Sequence, residues 1–165
     1  MDRSSYRRGG SAGQRSRLVP DDVTHPVDLR PSRPPLTIVC GAPGAGKSSL
    51  VSARAGPGAV IIDLDAIIDE ISGHRGARTP ELTLWLERGL LERNRRLRSL
   101  ASSGAPEAWF IVGAPKAEER AKWAQMLGAT AVVVIETPIA ETIRRINGDP
   151  ERLWIADRQR RAAYS

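Results

Sequence analysis

Short, continuously apolar runs recur along this chain and are separated by longer stretches with helical spacing. They cover residues 36–40, 59–62, 109–112 and 131–135. Apolar residues that do not alternate with polar ones are typical of strands buried on both faces of a parallel sheet. The pattern therefore predicts an α/β three-layer sandwich, with a mostly parallel sheet of about four or five strands between two layers of helices.

The stretches between the strands carry helix signals. A helix that starts near Ser48 ends at Gly56-Pro57-Gly58, where glycine and proline stop it. Asp65 is predicted to cap a short helix over 66–71, and Thr79-Pro80 opens a longer one. The other predicted helices cover residues 116–127, 137–146 and a basic C-terminal stretch, 151–164.

Length and composition indicate one soluble domain. The 165 residues are 41% hydrophobic and 27% charged, and no apolar run approaches the ~18 residues that a membrane helix needs. The single cysteine, Cys40, cannot form an internal disulfide, and its place at the end of the first strand predicts a buried, inert thiol. These features favour the reducing cytoplasm.

The charge is uneven along the chain. The formal net charge is +6, which favours polyanionic partners. Residues 1–35 are rich in Arg, Ser, Gly and Pro, so we predict a largely disordered basic tail before a folded domain over 36–165. The tail is either solvated or an electrostatic arm for nucleic acid, together with the basic C-terminal helices. The arginines of the long helix are expected in solvent: Arg88, Arg93, Arg95, Arg96 and Arg98.

The strongest motif lies between the first strand and the first helix. Residues 41–48 read Gly-Ala-Pro-Gly-Ala-Gly-Lys-Ser, a complete phosphate loop in the strand–loop–helix context that its mechanism requires. Backbone N–H groups and the helix N-terminus would surround the phosphates of ATP, with Lys47 on the β- and γ-phosphates and Ser48 on Mg²⁺. The predicted nucleotide-binding residues are Gly41, Ala42, Pro43, Gly44, Ala45, Gly46, Lys47, Ser48, Ser49, Arg144 and Arg152.

Other candidate groups follow the second and third strands. Asp63 and Asp65 come after 59–62, and Gly113–Lys116 follows 109–112. The carboxyl ends of parallel strands share one edge of the sheet, so these groups should meet the phosphate loop there. Asp65 or Asp63 would act as a base for an acceptor hydroxyl or hold the metal through water. We assign Asp65 to catalysis with Lys47 and Arg145, assign Asp63 to the metal with Ser48, and expect Arg144, Arg145 and Arg152 to form a lid.

From these residues the chain resembles the small P-loop kinases, an AAA-type ATP-binding family typified by the phage polynucleotide 5′-kinase domain. The likeness extends from Leu36 to Arg152 and is carried by Leu36–Ser48, Ile62-Asp63-Leu64-Asp65 and Trp109–Ile146. It implies a kinase fold and an aspartate that activates the acceptor hydroxyl, a role that maps onto Asp65. The chain is also similar to small P-loop proteins of phages and prophages, which would imply a host cytoplasm.

The chain departs from the pattern of these kinases at two points. Ile68 stands where the family has an arginine that grips the acceptor phosphate, and Gly113-Ala114-Pro115 lacks the family's polar residue. Arg75 or Arg78 is a hypothetical replacement for the lost contact.

Three functions are therefore compatible with the sequence. The first is a phosphotransferase acting on a nucleic-acid end, a nucleoside or another small hydroxyl compound. The second is an ATPase or nucleotide-dependent switch in DNA processing or packaging, although no apolar strand ends in the Asp-Glu pair that hydrolytic motors use. The third is a nucleic-acid-binding module that nucleotide stabilises without turnover. The oligomeric state stays open.

Overall fold

A computed structural model describes residues 19–73, 82–138, 140–141, 144–145 and 148. Its centre is a sheet of four parallel strands in the order β2-β3-β1-β4. Each strand forms at one of the predicted apolar runs, and the parallel α/β architecture is confirmed. The strands are β1 (Leu36–Gly41), β2 (Val60–Asp63), β3 (Ala108–Val112) and β4 (Ala131–Ile135).

Five helices lie around the sheet in the described part of the chain. They are α1 (Asp21–Thr24), α2 (Lys47–Arg54), α3 (Leu64–Ser72), α4 (Leu82–Ser99) and α5 (Ala117–Leu127), and a 3-10 turn at Leu100–Ser102 extends α4. Residues 140–141 and 144–145 are also helical, within the helix predicted to follow β4. The predicted helix start at Thr79-Pro80 and the predicted C-terminal helix lie outside the described residues.

The short helix after β2 starts earlier than predicted. Asp63, and not Asp65, is its N-cap: the Asp63 carboxylate accepts a hydrogen bond from the backbone N–H of Asp65 at 3.1 Å. Asp65 therefore lies in the first turn of α3, where an acidic side chain is favoured by the helix dipole. Both residues can cap a helix chemically, and the extended backbone of Asp63 decides between them.

Two apolar clusters fill the space on either side of the sheet. Val39, Trp109 and Ile111 pack with Val51 of α2 on one face. The larger cluster on the other face joins the sheet to α3, α4 and α5 and includes the fully buried Phe110, whose ring meets Trp123 edge-on at 5.1 Å. Cys40 is buried in this larger cluster as predicted, and burial raises the pKa of its thiol.

The segment before β1 packs on the domain, although the sequence assigned it to the tail. Ser32 N–H donates to the Leu127 carbonyl at 2.8 Å, and Arg33 N–H donates to the Leu100 carbonyl at 3.0 Å. The ring of His25 lies between two carboxylates: Nδ1 is 3.2 Å from Asp21 Oδ1, and Nε2 is 3.1 Å from Glu119 Oε1. The folded part of the chain thus begins before residue 36, while residues 1–18 lie outside the described part. We call residues 19–35 the N-terminal strap.

One arginine expected in solvent is instead buried under this strap. Arg93 is 4% exposed and donates to the carbonyl of Thr24 at 2.8 Å and to the amide oxygen of Asn94. Its guanidinium lies 5.3 Å from the centre of the Trp123 ring. Burial lowers its pKa to about 10, so it stays charged at neutral pH. Helical periodicity could not find this contact, because the strap that covers Arg93 is distant in sequence.

Candidate nucleotide-binding site

The phosphate loop connects β1 to α2 through a tightly packed backbone. A Cβ on Gly41 would stand 2.9 Å from the Ile135 carbonyl oxygen of β4, so only glycine fits there. Gly46 caps α2 with a φ of +94°, a left-handed conformation that side chains disfavour. The glycines of the motif therefore set the shape of the loop, and α2 begins at Lys47 with the N–H groups of its first turn at the loop.

Lys47 folds back along the loop that carries it. Its ammonium donates to the carbonyl oxygens of Gly41 at 2.8 Å and Ala42 at 2.9 Å. These contacts place a positive charge at the carboxyl end of β1, beside the N-terminus of α2. A charge and a helix N-terminus at the same place favour an anion.

Asp63 connects the phosphate loop to the helix that carries Asp65. Ser48 Oγ donates to Asp63 Oδ2 at 2.9 Å, while Oδ1 of the same carboxylate accepts from Asp65 N–H. Both oxygens of Asp63 are thus engaged, and its orientation is set from two sides. Asp65, in the first turn of α3, is exposed at the same edge of the sheet.

The segment after β4 also contacts the loop. Thr137 Oγ1 donates to the Ala45 carbonyl at 3.2 Å. Arg145 Nη1 lies 3.5 Å from the point where a Cβ on Gly46 would stand. Arg145 Nε donates to Glu141 at 2.9 Å. An arginine of the predicted lid therefore lies against the phosphate loop.

These groups surround one cavity of about 710 Å³, within the size range of small-molecule sites. Its wall combines loop backbone, two carboxylates, two cations and the apolar ends of two strands. The lining residues are Pro43, Gly44, Ala45, Gly46, Lys47, Ser48, Ser49, Leu50, Asp63, Asp65, Ile111, Ile135 and Arg145.

Comparison with known proteins agrees with this architecture. The family model described as AAA domain matches residues 36–151, a range that contains all four strands and the phosphate loop. The chain belongs to the AAA domain family. Among curated proteins, none shows significant sequence similarity to it.

Two solved structures are similar to this AAA domain, and the first shows the same fold. One, titled "Structure of Pnkp1/Rnl/Hen1 complex", superposes with a TM-score of 0.51 at 19% identity, over 68% of this chain and 38% of that one. This chain thus spans well under half of that relative. A second is TT1252 from Thermus thermophilus, with a TM-score of 0.47 at 20% identity, over 77% of this chain and 79% of that one. The sequence resemblance to the small P-loop kinase family is confirmed, and the AAA domain is a nucleotide-binding P-loop protein.

Most of the residues predicted from the sequence meet in the cavity. Gly41 and Ala42 do not line the cavity, but their carbonyls accept the hydrogen bonds of Lys47. Arg144 pairs with Glu141 and is also absent from the lining, while Arg152 lies outside the described residues. The turn after β3 is held by Arg120, which donates to the carbonyls of Ala114 and Pro115, and it does not line the cavity either.

Sequence reasoning missed the apolar wall and the partner of the lid arginine. Ile111 and Ile135 occupy strand ends that parallel topology brings to this edge, so their position was a usable signal. Glu141 precedes Arg145 by one helical turn, a spacing that pairs opposite charges on a helix. That spacing was visible in the sequence.

Side-chain oxygens that could hold a cation such as Mg²⁺ line the cavity. In the described residues no three His, Cys, Asp or Glu side chains cluster as a metal cage would require. Mg²⁺ in phosphate sites, however, needs only one or two protein oxygens besides phosphate and water. Ser48 Oγ and the Asp63 carboxylate, 2.9 Å apart, supply two such oxygens. None of the described helices is both long and apolar enough to cross a bilayer.

Proposed function

We propose that this AAA domain is a phosphotransferase that moves the γ-phosphoryl group of Mg-ATP to a hydroxyl acceptor. The acceptor classes are a nucleic-acid 5′ end, a nucleoside or a small molecule. One observation carries the proposal: Asp65 opens onto the same cavity as the phosphate loop and the Ser48–Asp63 pair. A carboxylate facing the loop can serve an acceptor that enters opposite the nucleotide.

In this proposal the two aspartates have different tasks. Asp63 is engaged by Ser48 and by Asp65 N–H, so it holds the metal side of the cavity in shape. Mg²⁺ held by Ser48 and Asp63 would neutralise charge on the phosphates. Asp65, which also lines the cavity, accepts the proton of the acceptor hydroxyl.

The transfer step moves the γ-phosphoryl group from ATP to the acceptor oxygen. The acceptor oxygen forms a bond to the γ-phosphorus while the bond from that phosphorus to the β–γ bridging oxygen breaks. ADP leaves with the electron pair of the broken bond, and the acceptor proton passes to Asp65. Lys47 and Arg145 stabilise the charge on the transferring group, since phosphoryl transfer depends mainly on positioning and electrostatics.

The acceptor side of the cavity bears on substrate class. Ile68, which replaces the family's acceptor-gripping arginine, is 7% exposed. A Cβ on Gly89 of α4 would stand only 2.6 Å from Cγ1 of Ile68, so the Ile68 side chain fills the space beside that glycine. Position 68 thus belongs to the α3–α4 contact and cannot reach an acceptor. A polynucleotide acceptor needs its phosphate contact elsewhere, and Arg75 and Arg78, the hypothetical replacements, lie outside the described residues.

A transfer assay with γ-labelled ATP tests the proposal. The acceptors are DNA and RNA with 5′-hydroxyl ends, nucleosides and small alcohols. Label appearing on one acceptor class, and lost in Asp65→Asn, supports phosphotransfer. Release of labelled phosphate that DNA stimulates, with no labelled acceptor, would replace the proposal with an ATPase or switch. Nucleotide binding without any turnover would leave a binding module.

A further inference from the structure

The segment after β4 approaches the phosphate loop at two separate points. At its start, Thr137 donates to the Ala45 carbonyl. Further along, Arg145 Nη1 comes within 3.5 Å of the position that a Gly46 Cβ would take. The orientation of the segment between these two points decides where the Arg145 guanidinium sits relative to bound phosphates.

Glu141 lies between the two contacts and holds two arginines. Its Oε1 accepts from Arg145 Nε at 2.9 Å, and its Oε2 pairs with Arg144. The Glu141 side chain is 28% exposed, against 48% for Arg145 and 77% for Arg144. The carboxylate is therefore the most enclosed group of the three, and the arginines are oriented by it.

The contact uses only one edge of the Arg145 guanidinium. A guanidinium presents five N–H donors in a rigid planar fork, so holding one edge sets the direction of the others. Glu141 takes the Nε edge, and Nη1 is the nitrogen beside Gly46. A long side chain that is already held has less rotamer freedom to lose when phosphate arrives.

We propose that Glu141 is a positioning residue that holds Arg145 over the phosphate loop, with its terminal N–H groups toward the nucleotide phosphates. The role rests on the proposed function, because Arg145 matters there only if the loop holds a triphosphate. Glu141 itself does not touch the nucleotide. Alone beside phosphates its negative charge is unfavourable, so any benefit has to come through Arg145.

Glu141 repels phosphate directly but favours it through Arg145, so the sign of the change in Mg-ATP affinity on its substitution tests the proposal. In the otherwise wild-type chain, Glu141→Gln should weaken Mg-ATP binding and lower kcat/KM by about 10-fold, as when an orienting partner is lost. In the Arg145→Ala background the same change should be neutral or should strengthen Mg-ATP binding, because Glu141 then holds only Arg144, which does not line the cavity, and its repulsion of the phosphates is removed. A merely structural glutamate would weaken binding in both backgrounds.

The experiment is a double-mutant cycle on the full chain. Calorimetric Kd for Mg-ATP and, where transfer is detected, kcat and KM are measured for wild type, Glu141→Gln, Arg145→Ala and the double variant. Glu118→Gln is the matched control. It makes the same carboxylate-to-amide change at an exposed residue in the first turn of α5 and should behave as wild type. Glu141→Asp adds a variant that keeps the charge, and melting temperatures establish that each protein is folded.

Each result of the cycle decides for or against Glu141. A double variant no weaker than Arg145→Ala alone supports the positioning role. Equal losses in both backgrounds, or wild-type affinity in Glu141→Gln, overturn it. If the wild type transfers no phosphate to any acceptor but binds Mg-ATP, the proposed function fails while the affinity cycle still decides the role of Glu141.

Discussion

Two arginines in two regions of this AAA domain show how the same residue type is used in opposite ways. Arg93, under the N-terminal strap, is 4% exposed and is held by backbone carbonyls, by Asn94 and by the ring of Trp123. Arg145, at the phosphate-loop edge, is 48% exposed and is held at its Nε by one carboxylate. The first cation is committed to the fold, and the second keeps donors toward a cavity. Burial and partner type thus separate a structural charge from the one that we propose binds phosphate.

The same contrast distinguishes the two regions as wholes. The strap, α4 and α5 enclose a packed cluster in which polar groups meet protein partners. At the loop edge, Lys47, Asp65 and Arg145 line an open cavity, while Lys47 and Arg145 also keep protein partners. Substitutions in the first region should therefore change stability, and those in the second should change binding or turnover. Four substitutions, two in each region, test that division.

Lys47→Ala should have the largest effect and should leave the fold intact. In the proposed site Lys47 would donate two charge-assisted hydrogen bonds to phosphate, and their loss, at about 2 kcal/mol each, should weaken Mg-ATP binding by about 10³-fold. The thermal stabilisation that ATP confers should disappear with it. Calorimetry and melting curves with and without Mg-ATP measure both effects. The exposed Lys122→Ala on α5 is the control, and wild-type affinity in Lys47→Ala would contradict the nucleotide site.

Asp65→Asn should separate turnover from binding within the loop region. The amide keeps the size of the side chain but cannot accept the acceptor proton, so turnover should fall by about 10²-fold while the Kd for Mg-ATP stays near wild type. Initial rates with the labelled acceptor and calorimetry test the two halves of this statement. Glu70→Gln, on the same helix, is the control. Turnover at the wild-type rate in Asp65→Asn would remove Asp65 from the mechanism.

Arg93→Ala should act on stability and not on the nucleotide. It leaves the carbonyl of Thr24 and the amide of Asn94 without their donor and opens space beside Trp123, so we expect a loss of about 2 kcal/mol in the free energy of unfolding. Denaturant unfolding measures this loss, and the exposed Arg95→Ala is the comparison. The Kd for Mg-ATP of folded Arg93→Ala should match wild type. An affinity loss without a stability loss would break the division between the regions.

Glu92→Gln should give the smallest effect, which its dependence on pH and salt identifies. Hydrogen bonds from Arg95 and Arg96 lower the pKa of Glu92 from 4.5 to about 2. The charged form therefore stabilises the fold above pH 4.5, and this stabilisation is lost as the pH falls toward 2. Since the group is near the surface, we expect less than about 1 kcal/mol. The stability difference between wild type and Glu92→Gln should shrink with acid and in about 1 M salt. A difference that is constant from neutral pH to pH 2 would contradict this account.

The sheet was predictable because its signal is local. Strands buried on both faces need continuous apolar runs, and each run can be recognised within a few residues. The loop was predictable for the same reason: the turn, the close approach of Gly41 to β4 and the left-handed Gly46 demand glycine at set positions. The gathering of Asp63 and Asp65 beside the loop followed from parallel topology alone.

The strap and the helix cap were not predictable in the same way. Proline, arginine and serine in the strap resemble an unstructured tail, and only the groove between α4 and α5 gives those residues partners. The N-cap of α3 depends on which aspartate has extended backbone, which the sheet register of β2 decides. For the strap, the deciding partners are far away in sequence. For the helix cap, the deciding property is the backbone conformation of Asp63.

By itself, then, the sequence determined the class of fold, the phosphate loop and the set of charged groups at one sheet edge, because these features are written in short-range patterns. Tertiary structure decided which arginine became buried and which aspartate caps α3 and faces Ser48. Those choices depend on burial and on partners that the folded chain brings together, and neither is a property of a local stretch.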